Sequence, residues 1–305
     1  MTKNKKRKLT LADFFVGYFE NIGRLTLVNL LVCVPMAVLV TAFYFLNTAG
    51  FLSLFILFLI FPAMSPFFGG LFYICFKVVR GQKFRPIKDF FKGVKENSLY
   101  FFLDSLILYI FGSGFYITFS FYRTGLEGTL MIISFILSVI VLLFFICFQN
   151  SVLTMTVSVK LGFPDIIRNS AVLVVTGLFG HFKTLLSISL IAVIMFTINM
   201  AAGNAFIILI VAIISTVLFL PVLIAYIIVF NAYQAIEKQI IIPYQEEVEK
   251  KNERKANDFS SVTDEDIIEL KKLAKGSDDE FVSFRGRMLR RSTVKKIIET
   301  HSDMI

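Results

Sequence analysis

Long apolar runs alternate with short basic segments along this chain. A helix needs about 20 apolar residues to cross a bilayer, more than a soluble core helix uses. Six runs meet that requirement, near 25–46, 51–76, 99–121, 130–150, 184–203 and 205–230. Pro62 and Pro66 predict a kink in the second run, and Pro221 predicts one in the sixth. The pattern predicts an all-α membrane protein with about six transmembrane helices.

The composition supports the same class of protein. Apolar residues make up 56% of the 305 positions and charged residues only 17%, with 36 Phe and no Trp, whereas soluble domains are about one quarter charged. The three cysteines, Cys33, Cys75 and Cys147, all lie within apolar runs and show no paired spacing. We therefore expect no disulfide framework, no metal site and no cofactor.

The distribution of basic residues predicts the orientation in the membrane. They precede the first span and lie in the second–third and fourth–fifth connections: Lys3, Lys5, Lys6, Arg7, Lys8, Arg24; Lys77, Arg80, Lys83, Arg85, Lys88, Lys92, Lys95; Lys160, Arg168, Lys183. The opposite connections carry only Arg123. Because basic residues next to membrane spans stay in the cytoplasm, we expect both termini on the cytoplasmic side of the cell membrane.

The net charge of +9 arises in residues 1–233, because the remainder is nearly balanced. Positive charge that borders membrane spans attracts anionic lipid headgroups. We therefore expect the bilayer surface to be a partner, and we expect no nucleic-acid partner.

An internal repeat divides the predicted membrane domain. Residues 13–21 read DFFVGYFEN and residues 89–97 read DFFKGVKEN, identical at six of nine positions and 76 residues apart. A fainter copy begins another 76 residues on, at Asp165. Each copy precedes an odd-numbered span, so the pattern predicts three parallel units, about 10–80, 86–160 and 162–233. Each unit would be an amphipathic elbow helix followed by a helical hairpin, arranged with approximate threefold symmetry.

The elbows carry an acidic residue where a helix should begin. Asp13, Asp89 and Asp165 are placed to cap a helix N-terminus or to occupy its first turn, where a negative charge is stabilising. Phe90 and Phe91 belong to the apolar side of the second elbow. A structural role for these residues is favoured over a functional one.

Asp104 is the one acidic residue clearly within a span, and such a residue is a functional candidate by default. The alternative is a structural pair with an elbow lysine or a polar neighbour. Asn29, Ser105 and His181 each lie sixteen residues after a repeat aspartate. They would converge near the axis if the threefold arrangement holds. Other polar groups in the spans are typical interhelical hydrogen-bond partners: Gln149, Asn150, Asn199 and Asn204.

Signatures of enzymes are absent from the sequence. It contains no P-loop, HExxH or GxSxG motif, and its two histidines, His181 and His301, lie far apart. We therefore expect no catalytic activity.

The region after the spans is polar. We predict a transmembrane domain over 1–233, a charged linker or helix over 234–262 and a small cytoplasmic element over 263–305. That element should contain a helix over 264–275, a short hairpin around 285–286 and a last helix over 293–300. It buries little surface alone, so we expect it to dock on the membrane domain or on a partner.

The second span and second elbow together resemble a known family. Residues 62–69 read PAMSPFFG, residues 77–80 read KVVR, and residues 89–93 read DFFKG, after NLL at 29–31. This arrangement is similar to the YesL family of bacterial membrane proteins. Ser65 stands where that family has Thr, and Gly69 falls two residues late. The resemblance implies a multi-pass protein of unassigned biochemical function that accompanies carbohydrate uptake in Gram-positive bacteria, and it transfers no catalytic or binding residues.

Two hypotheses for function follow. The first is an accessory or scaffold protein of a carbohydrate ABC transport system, favoured by the basic face, the polar tail and the YesL resemblance. The second is an independent small-solute or ion-coupled transporter or channel, favoured by Asp104.

Overall fold

The structure, a computed structural model, describes residues 9–48, 59–125, 128–244, 246–247, 250, 264–276, 281–284 and 287–302. The chain divides into two compact units, Met1–Glu237 and Lys238–Ile305. The predicted hairpin turn at 285–286 lies outside the described residues.

The first unit is helical throughout its described parts. Its helices are α1 (Leu11–Glu20), α2 (Ile22–Thr48), α3 (Ile60–Val79), α4 (Pro86–Gly125), α5 (Gly128–Ser158), α6 (Phe163–Thr176), α7 (Leu178–Ala202), α8 (Ala205–Leu218) and α9 (Leu220–Ile236). A single π-helical turn, Glu237–Ile241, follows α9.

Six helices in the described residues are long and apolar enough to cross a membrane. They are Ile22–Phe45, Ile60–Val79, Pro86–Phe121, Gly128–Ser158, Leu178–Ile198 and Leu220–Tyr244. Length and composition therefore confirm the predicted multi-pass helical class.

Helices α3 and α9 form the centre of the first unit. In α3 67% of the span is buried by protein, against 6% in the span of α5 and 11% in that of α7. Helix α9 packs against α2, α3, α5 and α7. The outer helices direct large apolar side chains away from the protein, as lipid-facing helices do.

Glycines let α3 and α4 approach closely. A Cβ placed on Gly70 would lie 2.8 Å from the carbonyl oxygen of Phe90, and one placed on Gly93 would lie 2.7 Å from the Cβ of Tyr73. Small residues allow this kind of backbone approach between membrane helices. The contact fixes the position of α4, which carries Asp104.

The predicted sixth span, 205–230, is two helices rather than one kinked helix. The chain breaks at Phe219, whose φ is −150° and ψ −22°. Pro221 has no backbone N–H and its ring clashes with the preceding turn, so a continuous helix is unfavourable here. A side chain from α2 completes the break, as described below.

The second elbow also differs from the first and third. Helices α1 and α6 end before α2 and α7 begin, at Asn21 and Gly177 respectively. In the second copy the elbow and the span form one helix, α4, of 40 residues.

The second unit contains α10 (Asp264–Leu273), β1 (Phe281–Phe284), β2 (Arg287–Arg290) and α11 (Arg291–Ser302). The strands pair antiparallel, with Val282 opposite Leu289. The side chains of Leu270, Val282, Phe284 and Val294 form its core. This unit therefore has a small hydrophobic core of its own.

Candidate functional site

A cavity of about 430 Å³ lies between α3, α4, α5 and α9. Its wall is almost entirely carbon, and much of it is aromatic. The Phe72 and Phe101 rings lie 5.8 Å apart, while the Phe111 and Phe145 rings are stacked with centroids 3.6 Å apart. Small-molecule sites in proteins are typically apolar cavities of this size with a few polar groups.

Polar side chains on α4 and α5 interrupt this apolar wall, among them Asp104, Gln149 and Asn150. Gln149 donates a hydrogen bond from Nε2 to Oδ2 of Asp104 at 3.2 Å. Asp104 Oδ1, Gln149 Oε1 and Asn150 Nδ2 are buried without a hydrogen-bond partner among the described residues. Asp104 is 3% exposed. Two acceptors and one donor are thus left unsatisfied beside the cavity. Burying polar atoms without partners is unfavourable unless a group bound in the cavity pairs with them.

The local sequence explains how these groups come together. Helix α5 is apolar for most of its length and becomes polar on its buried side only near its end. Gln149 and Asn150 open that polar part, and Thr154 continues it one turn later by donating to the Asn150 carbonyl at 2.9 Å. Helix α4 presents Asp104 to Gln149, so the lone acid of one span meets the polar end of another.

Asp104 therefore pairs with a polar neighbour, one of the two structural partners expected from the sequence. The other, an elbow lysine, is not its partner. The elbow lysine Lys92 lies 3.7 Å from Glu96 instead, and Lys77, at the end of α3, lies 2.9 Å from Asp89. Among the described residues Asp104 forms no ion pair, so no cation of the described chain lies beside this carboxyl group.

Ser105 lines the same cavity as Asp104. Its hydroxyl donates to the Phe102 carbonyl at 2.7 Å, within its own helix. Of the predicted site residues, the structure brings Asp104 and Ser105 together at this cavity.

Asn29 lies elsewhere, at the break between α8 and α9. Its Nδ2 donates to the carbonyls of Thr216 and Val217 at 2.7 and 2.8 Å, and its Oδ1 accepts from Val222 N–H at 3.0 Å. Pro221 cannot supply the N–H that the Val217 carbonyl would receive in a continuous helix. One buried amide thus satisfies backbone groups on both sides of the break.

His181 occupies a third location. Its Nε2 is 3.2 Å from the Ser151 hydroxyl, which also bonds the Cys147 carbonyl at 3.3 Å. Gly180 lies close beneath it, and a Cβ there would be 3.2 Å from the Asn231 carbonyl. Asn29, Ser105 and His181 are all buried, and each forms hydrogen bonds with different partners.

The three elbow aspartates all lie in the first turn of a helix. Asp13 forms a capping box with Thr10, and Asp89 accepts from Arg85 N–H at 2.8 Å. Phe90 is fully buried against α3, whereas Phe91 is 52% exposed. These residues anchor helix ends, and none of them lines the cavity.

The first elbow is anchored by aromatic contacts. Phe14 packs against Tyr226 and Phe230 of α9, with ring centroids 5.0 and 5.2 Å away. Tyr18, one turn further along the same helix, has its ring centroid 5.6 Å from that of Tyr226. Burial, together with nearby Cys75, raises the pKa of Tyr18 to about 12. This phenol therefore stays neutral at physiological pH.

Within the described part of the chain, no three His, Cys, Asp or Glu side chains are grouped so that they could hold a metal ion. The sequence predicts Gln149 and Asn150 as hydrogen-bond partners, but nothing in it shows that they border a cavity. Asn204 caps α8 by accepting from Phe206 N–H at 2.8 Å, and the Asn199 side chain lies outside the described residues.

No family model matches this chain, and neither a curated protein nor a solved structure matches it. The chemistry of the cavity therefore has to be argued from its own residues.

Proposed function

We propose that this protein is a multi-pass protein of the cell membrane that binds and transports a small solute through the cavity beside Asp104. The observation that supports this most is the group of unpartnered polar atoms on Asp104, Gln149 and Asn150. Ionisable residues within membrane spans are rare and mark solute or ion pathways, and a buried polar group without a partner is unfavourable unless a ligand or water pairs with it. This is the second of the two hypotheses from the sequence.

The proposal includes the orientation inferred from the basic residues. Both termini face the cytoplasm, and the elbows lie at the inner surface, where their lysines and arginines contact anionic headgroups. The three units keep parallel orientation, although the second elbow is fused to its span.

Transport is tested in proteoliposomes with radiolabelled amines, alcohols, sugars and amino acids. We expect at least one solute to enter faster than in empty liposomes. Asp104→Asn should lower that rate about tenfold, because a solute would lose a bond to a charged group. Flux unchanged by Asp104→Asn would contradict the role of this carboxylate.

Neighbouring leucines provide a matched pair of control variants. Leu142 lines the cavity, whereas Leu143 is 44% exposed on the outer surface of the same helix. Leu142→Trp should fill the cavity and abolish flux, while Leu143→Trp should leave it unchanged. Equal flux in the two variants would exclude the cavity as the route.

A second candidate function is the accessory role in carbohydrate ABC transport. It is favoured by the second unit, which has its own core around Leu270 and Phe284, and by the YesL resemblance. Purification from native membranes should then recover transporter subunits, and Leu270→Asp should release them by disrupting that core. Purification that repeatedly yields the protein without partners would contradict this role.

A further inference from the structure

We infer that the solute held beside Asp104 is a lipophilic organic cation, an ammonium group carried on an apolar body. This inference rests on the proposed function and names the class of its ligand. It follows from three properties of the cavity, namely a carboxyl group with no cation beside it among the described residues, an aromatic wall and a small number of other polar groups.

The carboxyl group of Asp104 is suited to a positively charged partner. Asp104 is 3% exposed, and its single hydrogen-bond donor is the neutral amide of Gln149. A buried carboxyl group without a cation beside it takes up a proton, whereas a cation in close contact stabilises its ionised form. An ammonium group has three donors. It could satisfy both Asp104 Oδ1 and Gln149 Oε1, the two unpartnered acceptors.

The aromatic wall suits a cation with an apolar body. Phe72, Phe101, Phe111 and Phe145 all line the cavity. The negative face of an aromatic ring attracts ammonium groups, most strongly where water is excluded. The same rings bury the carbon atoms of the ligand.

Other ligand classes fit less well. A bare metal ion needs several oxygen ligands, and the described residues contain no group of three His, Cys, Asp or Glu side chains that could hold one. A sugar presents many hydroxyl groups, each needing a partner that a carbon wall does not provide. An anion would be repelled by Asp104. The cavity therefore differs in chemistry from a carbohydrate site.

The test measures equilibrium binding of decylammonium and decanol to the full-length protein in nanodiscs of zwitterionic phosphatidylcholine. Empty nanodiscs correct for partition into lipid. The two probes share a chain and differ in the charged group. Wild type should bind decylammonium at least about tenfold more tightly than decanol, the ratio expected for a hydrogen bond to a charged group. This comparison needs no variant.

Asp104→Asn should remove that preference and leave decanol binding unchanged, while Leu143→Trp should alter neither probe. Equal binding of both probes to wild type, or a preference that survives Asp104→Asn in folded protein, would overturn the cation assignment. A different result would contradict the proposed function itself. If Leu142→Trp, which fills the cavity, left the binding of both probes unchanged, the cavity would not be a binding site.

Discussion

Asn29→Leu is expected to lower the free energy of unfolding by about 2–4 kcal/mol. The leucine is similar in size but cannot replace the bonds of Asn29 to the Val217 carbonyl and the Val222 N–H. It also removes the bond to the Thr216 carbonyl, which still accepts from the Cys33 thiol at 3.5 Å. No water is present at this depth of a bilayer to replace the lost bonds. Unfolding by titration with SDS in mixed micelles measures the change.

The control for this prediction is the proline that creates the break. Pro221→Leu restores a backbone N–H and permits a continuous helix, in which the Val217 carbonyl no longer needs Asn29. In the Pro221→Leu background, Asn29→Leu should lower the free energy of unfolding by clearly less than in wild type. The effects of the two substitutions on that free energy should therefore be non-additive. Strictly additive effects would show that Asn29 stabilises the protein by some other contact.

Gly70→Ala should destabilise the protein by about 1–3 kcal/mol, because the added methyl group meets a backbone carbonyl that cannot move alone. The alanine Cβ would lie only 2.8 Å from the Phe90 oxygen. Helix α4 would shift away from α3 and displace Asp104 from Gln149. The same SDS titration measures the loss, and solute flux reports the displacement.

Gly69 provides the matched control, one residue earlier on α3. A Cβ at Gly69 would have its nearest neighbours, Asn97 and Phe101, at 3.4 Å, an ordinary van der Waals distance. Gly69→Ala should therefore change stability by less than about 1 kcal/mol. If both alanine variants behaved alike, the close approach at Gly70 would not be what holds α3 against α4.

The sequence predicted the class of this protein well because the bilayer imposes a simple rule. Every span must be long, apolar and internally hydrogen-bonded, and such runs are visible without knowledge of tertiary contacts. The aspartates that begin the elbows were also visible, since helix capping depends only on local sequence. The prediction that Asp104 lies within a span required nothing more.

The features that depend on tertiary packing could not be predicted from the sequence. Pro221 signalled a kink, but whether a helix bends or breaks depends on a partner such as Asn29, which comes from a distant part of the chain. The expected meeting of Asn29, Ser105 and His181 likewise needed equal helix rotations in all three units. The second elbow is continuous with its span while the other two are separate helices, which local sequence does not reveal.

The cavity itself had only a partial signal. Gln149 and Asn150 stood out as polar residues at the end of an apolar run, but their partner on α4 could not be read from spacing. Cavities arise where side chains from several helices fail to fill space, and no local pattern encodes this.

The account depends most on a solute entering the cavity beside Asp104, and photolabelling tests this directly. Decylammonium and decanol, each carrying a diazirine on the decyl chain, would be bound to the protein in nanodiscs and irradiated. The adducts would then be mapped by mass spectrometry. We predict saturable adducts on cavity-lining Leu142 and Phe145. Adducts confined to outward-facing Leu143 and Phe144, undiminished by excess unlabelled probe, would contradict the account.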